Sequence, residues 1–394
     1  MTIYLDHAAT TPVRREVVEA MLPVLTEDWG NPSSPHADGR RARARLDGAR
    51  ESIAGRLSAD PRELVFTSGG TEAINLAIKG AAWAGKAMGN RIVTTAVEHH
   101  AVLNTCAMLE KFGFEVVTLP VDRYGRVDAD HLTAALNEKT ILVSLQLANN
   151  EVGTIQPIAE LVRRVRAQRG ALIHLDAVQA APYLDLDVQA LDVDLLSIAG
   201  HKLEGPKGSG LLWLRRGTAI LPQLHGGTQE RYRRAGTEDV AAAVGLAAAY
   251  ELSCTERAET GARLRRFRDR LRDAVLALPN VELTGHPRSR LPGLLSVVAR
   301  DVHGDELVAA LDLEGISCST GSACTTGSMD PSHVLTAMGF PDDEARGALR
   351  LSLGRTTTDE EVERAAEVIP AAIVRLRRGT APISIDPLGQ EVPV

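Results

Sequence analysis

Ser197-Ile-Ala-Gly-His-Lys-Leu-Glu-Gly-Pro-Lys-Gly-Ser-Gly210 runs from an apolar stretch into a glycine-rich turn, and a second apolar stretch, residues 211–214, comes next. Short apolar runs bounded by turn residues read as buried strands, so 195–198 and 211–214 are expected strands and Lys202 stands where the first of them ends. Outward from this point, residues 64–66, 91–95, 115–119, 141–147 and 171–175 read as further strands. Between them, 71–84, 101–112, 130–136 and 157–168 carry a helical period, the last beginning on a proline at the tolerated first position. Strands alternating with helices from about Ser52 to Leu214 predict an α/β body around a parallel or mixed sheet. In such sheets ligands bind at strand ends.

Beyond this body, residues 240–278 are rich in Ala, Leu and Arg and read as a long helix, with a break expected near Ser253-Cys254 that would carry the chain into a second unit. Residues 294–299 and 315–318 then read as strands and 305–311 and 359–377 as helices, which makes that unit a smaller α/β one. Residues 379–394 contain prolines and no helical period, so a loosely held tail is expected. No internal repeat is visible.

Composition narrows the function classes. The 394 residues are 44% hydrophobic and 24% charged, as in an ordinary globular protein, and the formal charge of −7 gives no overall positive field to recruit nucleic acid or an anionic membrane. No direct nucleic-acid binding is therefore expected. Four cysteines (Cys106, Cys254, Cys318, Cys324) are too few for a disulfide scaffold and lack the paired spacing of zinc ligands, so no metal site is expected and a reducing, cytoplasmic setting is. The first residues show neither a basic segment nor an apolar one, and no run approaches about 18 consecutive apolar residues, so neither secretion nor a membrane span is expected. Of the 44 basic residues only six are lysines (Lys79, Lys86, Lys111, Lys139, Lys202, Lys207), which gives weight to a lysine at a strand end.

Lys202 can condense with a carbonyl if its surroundings disfavour the ammonium form, and pyridoxal phosphate (PLP) is the common partner for such a lysine. A solvated loop lysine explains the string equally well. Thr67-Ser-Gly-Gly-Thr-Glu-Ala-Ile-Asn75 places glycines, Gly70 among them, and hydroxyls between a strand and a helix, where backbone N–H groups favour a phosphate. Capping by Ser68 or Thr71 without any ligand is the alternative. In Ile173-His-Leu-Asp-Ala-Val-Gln179, Asp176 ends an apolar strand, and a buried acid there needs a cationic partner such as a protonated pyridine nitrogen. Gln179 then falls near the phenolic oxygen of the same ring. His99 and His100, in Ala96-Val-Glu-His-His-Ala-Val102, come after another strand, and as neighbours only one of them is expected to face the site. Gly315-Ile-Ser-Cys-Ser-Thr-Gly-Ser-Ala-Cys-Thr-Thr-Gly-Ser-Met329 loses core periodicity after Cys318 and reads as a mobile loop, about 318–330, with Cys324 as the exposed nucleophile candidate and Cys318 buried and inert. An incidental surface cysteine is the alternative for Cys324.

Taken together, these segments resemble the cysteine desulfurases of the IscS/NifS type, PLP-dependent members of the class V aminotransferase family. The resemblance covers nearly the whole chain, from Tyr4-Leu-Asp-His-Ala-Ala-Thr-Thr-Pro12 and Gly30-Asn-Pro-Ser-Ser34 to Arg350-Leu-Ser-Leu-Gly-Arg355, and the loop Ser319-Thr-Gly-Ser-Ala-Cys324 is similar to that of the group with a long cysteine loop. It implies fold type I, the aspartate aminotransferase-like PLP-dependent transferase fold, with a large domain at 13–255 and a small one formed by 1–12 and 256–394. It implies Lys202 as the Schiff-base lysine, Asp176 on the pyridine nitrogen, Gln179 on the ring oxygen and His99 stacked over the ring. Thr71 and His201 would hold the phosphate, Thr237 of Arg234-Ala-Gly-Thr237 would reach the phosphate of a partner subunit in a homodimer, and Asn150 with Arg350 would hold the substrate carboxylate. The chemistry implied is conversion of L-cysteine to L-alanine, the sulfur passing to Cys324 as a persulfide. The sulfur would then go to an acceptor protein or scaffold, in iron–sulfur cluster assembly, tRNA thiolation or DNA phosphorothioation. A free cysteine has a pKa of about 8.5, so a nearby acceptor for the thiol proton is expected, with His99 first in line. One departure stands out: many relatives carry serine where this chain has Ala199, which would remove one phosphate hydrogen bond.

Two other readings share most of these residues. Another PLP enzyme of the same fold, an aminotransferase or β-lyase, needs Lys202 and Asp176 but no loop thiol, and a non-catalytic assembly subunit needs neither. Selenocysteine is a nearer variant as substrate. The arginine groups at 40–45 and 163–169 are expected to be solvated helix faces.

Overall fold

The computed structural model describes residues 2–168, 170–321, 331–380, 383–385 and 391–393. Its strands in chain order are β1 (Ile3–Tyr4), β2 (Leu64–Thr67), β3 (Arg91–Thr95), β4 (Glu115–Leu119), β5 (Thr140–Gln146), β6 (Leu172–Asp176), β7 (Leu195–Ala199), β8 (Gly210–Leu214), β9 (Val281–Leu283), β10 (Leu294–Ala299), β11 (Ile316–Ser317), β12 (Ala348–Ser352), β13 (Ile383–Ile385) and β14 (Glu391–Pro393). Seven of them form one sheet in the order β2-β8-β7-β6-β5-β3-β4. β8 runs antiparallel to both neighbours, and the pairings among β7, β6, β5, β3 and β4 are parallel. β5, β7 and β8 are buried along their whole length, which is why they read as continuous apolar runs rather than alternating ones.

Helices cover both faces. Gly70–Gly85 and His100–Glu110 bury Ala77, Ile78, Val102 and Leu109 against one face, with Val65 and Leu212. The other face joins a core built with Leu161, Leu46 and Leu246. The helices Arg15–Thr26 and Ala37–Leu57, which carried no sheet-and-helix alternation to announce them, pack on the first half of a long helix.

That helix, Val240–Leu276, runs unbroken for 37 residues, against the expected break at Ser253-Cys254. Its first half buries Val240, Leu246 and Tyr250, its last part buries Leu264, Phe267, Leu271 and Val275, and none of residues 251–263 is buried. The apolar period lapses there because only Leu252 and Cys254 of this stretch pack against the large core, and both only partly buried, while the backbone stays helical between the two cores. Its last part packs with β10, β12 and the Asp359–Thr380 helix in a separate core of Leu295, Leu351 and Ile369.

β12-β10-β9 form an antiparallel sheet, and β1 pairs in parallel with β11, so residues 3–6 lie beside the C-terminal strands. The Asp359–Thr380 helix overruns its expected end, and β13 pairs antiparallel with β14 in what was expected to be a loose tail. Three-residue strands are too short to leave a period in the sequence. No described helix is long and apolar enough to cross a membrane.

Candidate active site

The C-terminal ends of β6 and β7, the turn after β2 and the start of the His100–Glu110 helix surround a cavity of about 380 Å³. Its walls include Gly70, Thr71, His99, Asn150, Asp176, Gln179, His201, Lys202 and Arg350, which are the expected site residues apart from Thr237 and Cys324. Thr237 lies with Ser68 and Arg234 at a separate recess, away from its own chain's cavity. Cys324 lies outside the described residues, as do Arg169 and the rest of 322–330.

Lys202 comes after β7 in a short helical turn, Gly200–Lys202, and Nζ donates to the carbonyl oxygens of Ala8 and, at 2.8 Å, Ala9. A Cβ at Gly200 would fall 2.1 Å from Ser209 Oγ, so the turn that aims the lysine needs glycine there. Asp176 ends β6; Oδ1 accepts from the Val178 N–H at 3.0 Å, and burial pushes the carboxyl up to about 6. Such an acid is kept ionised by a cation beside it. Three residues on, the Gln179 amide oxygen is buried with no hydrogen-bond partner among the described residues. His201 Nδ1 lies 3.2 Å from Thr10 Oγ1.

At the phosphate-cup segment, the Gly70–Gly85 helix has Gly69 at its N-cap and no side-chain cap. Neither Ser68 nor Thr71 caps it, which removes the ligand-free explanation for those hydroxyls; Glu72 instead accepts from the Ser68 N–H at 2.7 Å. A Cβ at Gly70 would meet Val178 at 2.8 Å and Ala199 at 3.3 Å, so the helix start is pressed against the loop after β6 and the end of β7.

His99 and His100 both line the cavity, against the expectation that only one would. A helix starts between them: His99 is its extended N-cap and His100 its first residue, which turns the second ring back toward the first, 6.4 Å away. His99 Nδ1 accepts from the Ala101 N–H at 3.0 Å, leaving the ring proton on Nε2. Burial, then the nearby Lys202, lowers this imidazole to about 4. To act as a base for a thiol, this neutral ring must first give up that backbone bond or its Nε2 proton.

Arg350, on β12, donates from Nη1 to Asn150 O at 3.0 Å and to Gly321 O at 3.2 Å, and from Nη2 to Asp6 Oδ1 at 2.8 Å. Its side chain is 2% exposed. Cys318 is half-buried and Cys106 buried, and burial raises each thiol to about 12, so neither is a ready thiolate.

His333, which lines the cavity, and two polar residues close in sequence to lining ones, Glu98 and His174, escaped the sequence reading. Glu98 is fully buried, accepts on Oε1 from Thr95 Oγ1 and the Gln146 N–H, and is pushed up to about 8 by burial. His174 bridges Ser144 and Ser197, at 2.9 Å from each hydroxyl, two residues before Asp176 on β6. His333 packs against His100 with ring centroids 4.6 Å apart and planes tilted by 45°, and places Nε2 3.0 Å from Glu98 O. Glu98 was visible as the acid beside two histidines. His333 had no signal, because only the fold brings it from the far side of the cysteine segment.

A buried acid at a strand end, an uncapped helix start and a lysine at the next strand end together fit PLP. Among the described residues no cluster of His, Cys, Asp and Glu could hold a metal.

The class-V aminotransferase family matches residues 3–365. A cysteine desulfurase IscS of Methanosarcina thermophila is 50% identical over 375 residues, 95% of this chain and 93% of that one. Among solved structures, a NifS-like protein superposes with a TM-score of 0.90 at 37% identity, covering 95% of this chain and 100% of the other. A structure described as SspA in complex with cysteine gives 0.79 at 35% identity, over 89% and 99%. On this fold, this lysine-centred cavity and these relatives, the chain belongs to the class-V aminotransferase family and is one of its PLP-dependent cysteine desulfurases of the IscS/NifS type.

Proposed function

We propose that Lys202, Asp176, Gln179 and His99 serve the cofactor ring, Gly70, Thr71 and His201 its phosphate, and Asn150 with Arg350 the carboxylate of L-cysteine, while Cys324 receives the sulfur. The observation that carries this reading is the convergence of the first nine on one cavity of about 380 Å³ from elements spread over residues 70–350. Bound there, PLP supplies a sink for the electron pair left when the amino acid loses its α-proton.

The rest is done by the chain. Arg350, fixed on Asn150 O, meets the substrate carboxylate with a rigid guanidinium that orients the α-carbon toward Lys202. Lys202 Nζ takes the α-proton. Asp176, buried and anionic, holds the positive charge of the ring side. The Cys324 thiolate then forms a bond to the substrate sulfur as the carbon–sulfur bond breaks; the carbon keeps that electron pair, takes a proton, and leaves as alanine. His99 offers its Nε2 proton to the reacting side.

The chain acts as a homodimer in the cytoplasm, Thr237 of each subunit completing the partner's phosphate cup. Its position away from its own cavity supports this. The persulfide passes to an acceptor protein in iron–sulfur cluster assembly, tRNA thiolation or DNA phosphorothioation. Lys202→Ala tests the core of the reading: visible cofactor absorption and alanine formation should fall together, turnover by roughly a thousand-fold or more. Turnover retained in that variant overturns it.

A further inference from the structure

Glu230, Arg231 and Tyr232 stand in succession in the left-handed region, with φ of 45°, 56° and 64°. None is glycine, and left-handed backbone is unfavourable for each because Cβ crowds the next carbonyl. Such a turn persists only where its surroundings over-determine it. Here Glu230 supplies the buried part of that hold, beside Arg233 Nη1, which donates to Arg62 O at 2.8 Å. Glu230 accepts from Arg50 Nη2 at 2.6 Å and Nη1 at 2.9 Å, and from the Phe66 N–H at 3.2 Å. The paired side chains are 4% and 2% exposed. Arg50 also donates to Leu64 O at 2.8 Å and lies 4.7 Å over the Phe66 ring. The turn is thereby pinned to β2, the strand that leads into the phosphate cup.

The turn leads into the segment Arg234-Ala-Gly-Thr237. Arg234 pairs with Glu72 of the cup helix at 2.9 Å, and Glu72 holds the Ser68 N–H. The buried Arg50–Glu230 pair thus joins β2 to the strained turn, and Arg234 ties the arm that carries Thr237 to the cup helix.

We propose that Arg50 and Glu230 are positioning residues for cofactor retention: their pair holds the strained turn at 230–232 and so aims Thr237 at the partner subunit's cup. This rests on Thr237 completing the cup across the dimer. Tyr232 is 72% exposed, so its strain is not repaid by its own packing.

The test measures PLP dissociation from the holoenzyme. Arg50→Met with Glu230→Gln removes the two-point pair without stranding a charge and keeps an acceptor for Phe66. This double variant should lose PLP retention by roughly ten-fold or more. Adding Arg231→Gly and Tyr232→Gly, which make positive φ free of steric cost, should restore most of it. Thr228→Gly, at a site with φ −87°, should not. Rescue at 228 as well as at 231 and 232, or no loss in the double variant, overturns the proposal. Thr237→Val alone separates the two claims. If it binds PLP as the parent does, the trans role of Thr237 fails; if it weakens binding while the double variant does not, the positioning role fails. Should the double variant not fold, Tyr232→Gly in the parent decides the strain: a raised melting temperature is expected, and a lowered one contradicts it.

Discussion

Arg350 and Asp6, 344 residues apart in sequence, form one ion pair, Nη2 to Oδ1 at 2.8 Å. The backbone of the same arginine bridges Ser319, its N–H donating to Ser319 O at 2.6 Å, and its Nη1 holds Gly321 O. The residue proposed to orient the substrate is therefore tied both to the segment after β1 and to the backbone just before the cysteine-bearing segment.

Arg350→Lys keeps the charge and loses the fork that spans Asn150, Gly321 and Asp6. Steady-state kinetics should show KM for L-cysteine raised by about ten-fold or more, as expected when a rigid bidentate donor becomes a point charge, while cofactor absorption is unchanged. An unaltered KM would remove Arg350 from the substrate site.

Glu98 makes the apoprotein's stability depend on pH. Its folded pKa, about 8, is raised by burial above the ordinary value of 4.5. The native state thus keeps a proton that the unfolded chain has lost, and stability falls as pH rises through the folded value. Buried histidines act in the opposite sense: His99 and His201, lowered to about 4, and His174, lowered to about 3, stay neutral in the native state while the unfolded imidazoles still bind protons near pH 6.5, so the comparison with Glu98→Gln isolates the acid. In urea unfolding between pH 7 and 8 the parent should lose stability relative to Glu98→Gln by about 1 kcal/mol per pH unit. Parallel pH dependences in the two proteins would mean that Glu98 is ionised in the native fold.

Much of the fold and of the site was legible in the sequence, for physical reasons. Fully buried strands such as β5 and β7 announce themselves as short apolar runs, and Lys202, Asp176 and the cup stand at strand ends, where the fold places a ligand. The helix Arg15–Thr26 was not read, since it lies outside the alternating stretch; of Ala37–Leu57 only the solvated arginine face at 40–45 was, and there Arg41, Arg43 and Arg45 turn to solvent and pair with Asp28, Asp38 and Asp47. Pairings such as Glu98 with Gln146, or Arg50 with Glu230, depend on distance in space that no spacing encodes. The placing of two adjacent histidines in one cavity needed a helix to begin between them, and helix starts are blurred by a residue or two in any reading of periodicity.

Gly354, in the Arg350-Leu-Ser-Leu-Gly-Arg355 string, is required by His7: a Cβ there would fall 2.1 Å from the imidazole. His7 is 4% exposed, and its Nδ1 lies 3.1 Å from Ser352 O. Gly354→Ala should lower stability by about 1–3 kcal/mol, the usual range for overpacking, and adding His7→Ala should recover part of the loss. Denaturant unfolding of the single and double variants checks this; additive losses would show that the two residues do not meet.

Sulfur transfer to Cys324 is the central claim, and mass spectrometry of peptides after brief incubation of the holoenzyme with L-cysteine, with alanine measured in the same tube, tests it most directly. The account predicts one added sulfur on the Cys324 peptide, accompanied by alanine and absent in Cys324→Ala. Added sulfur on Cys318, or alanine formed at the parent rate by Cys324→Ala, would contradict it.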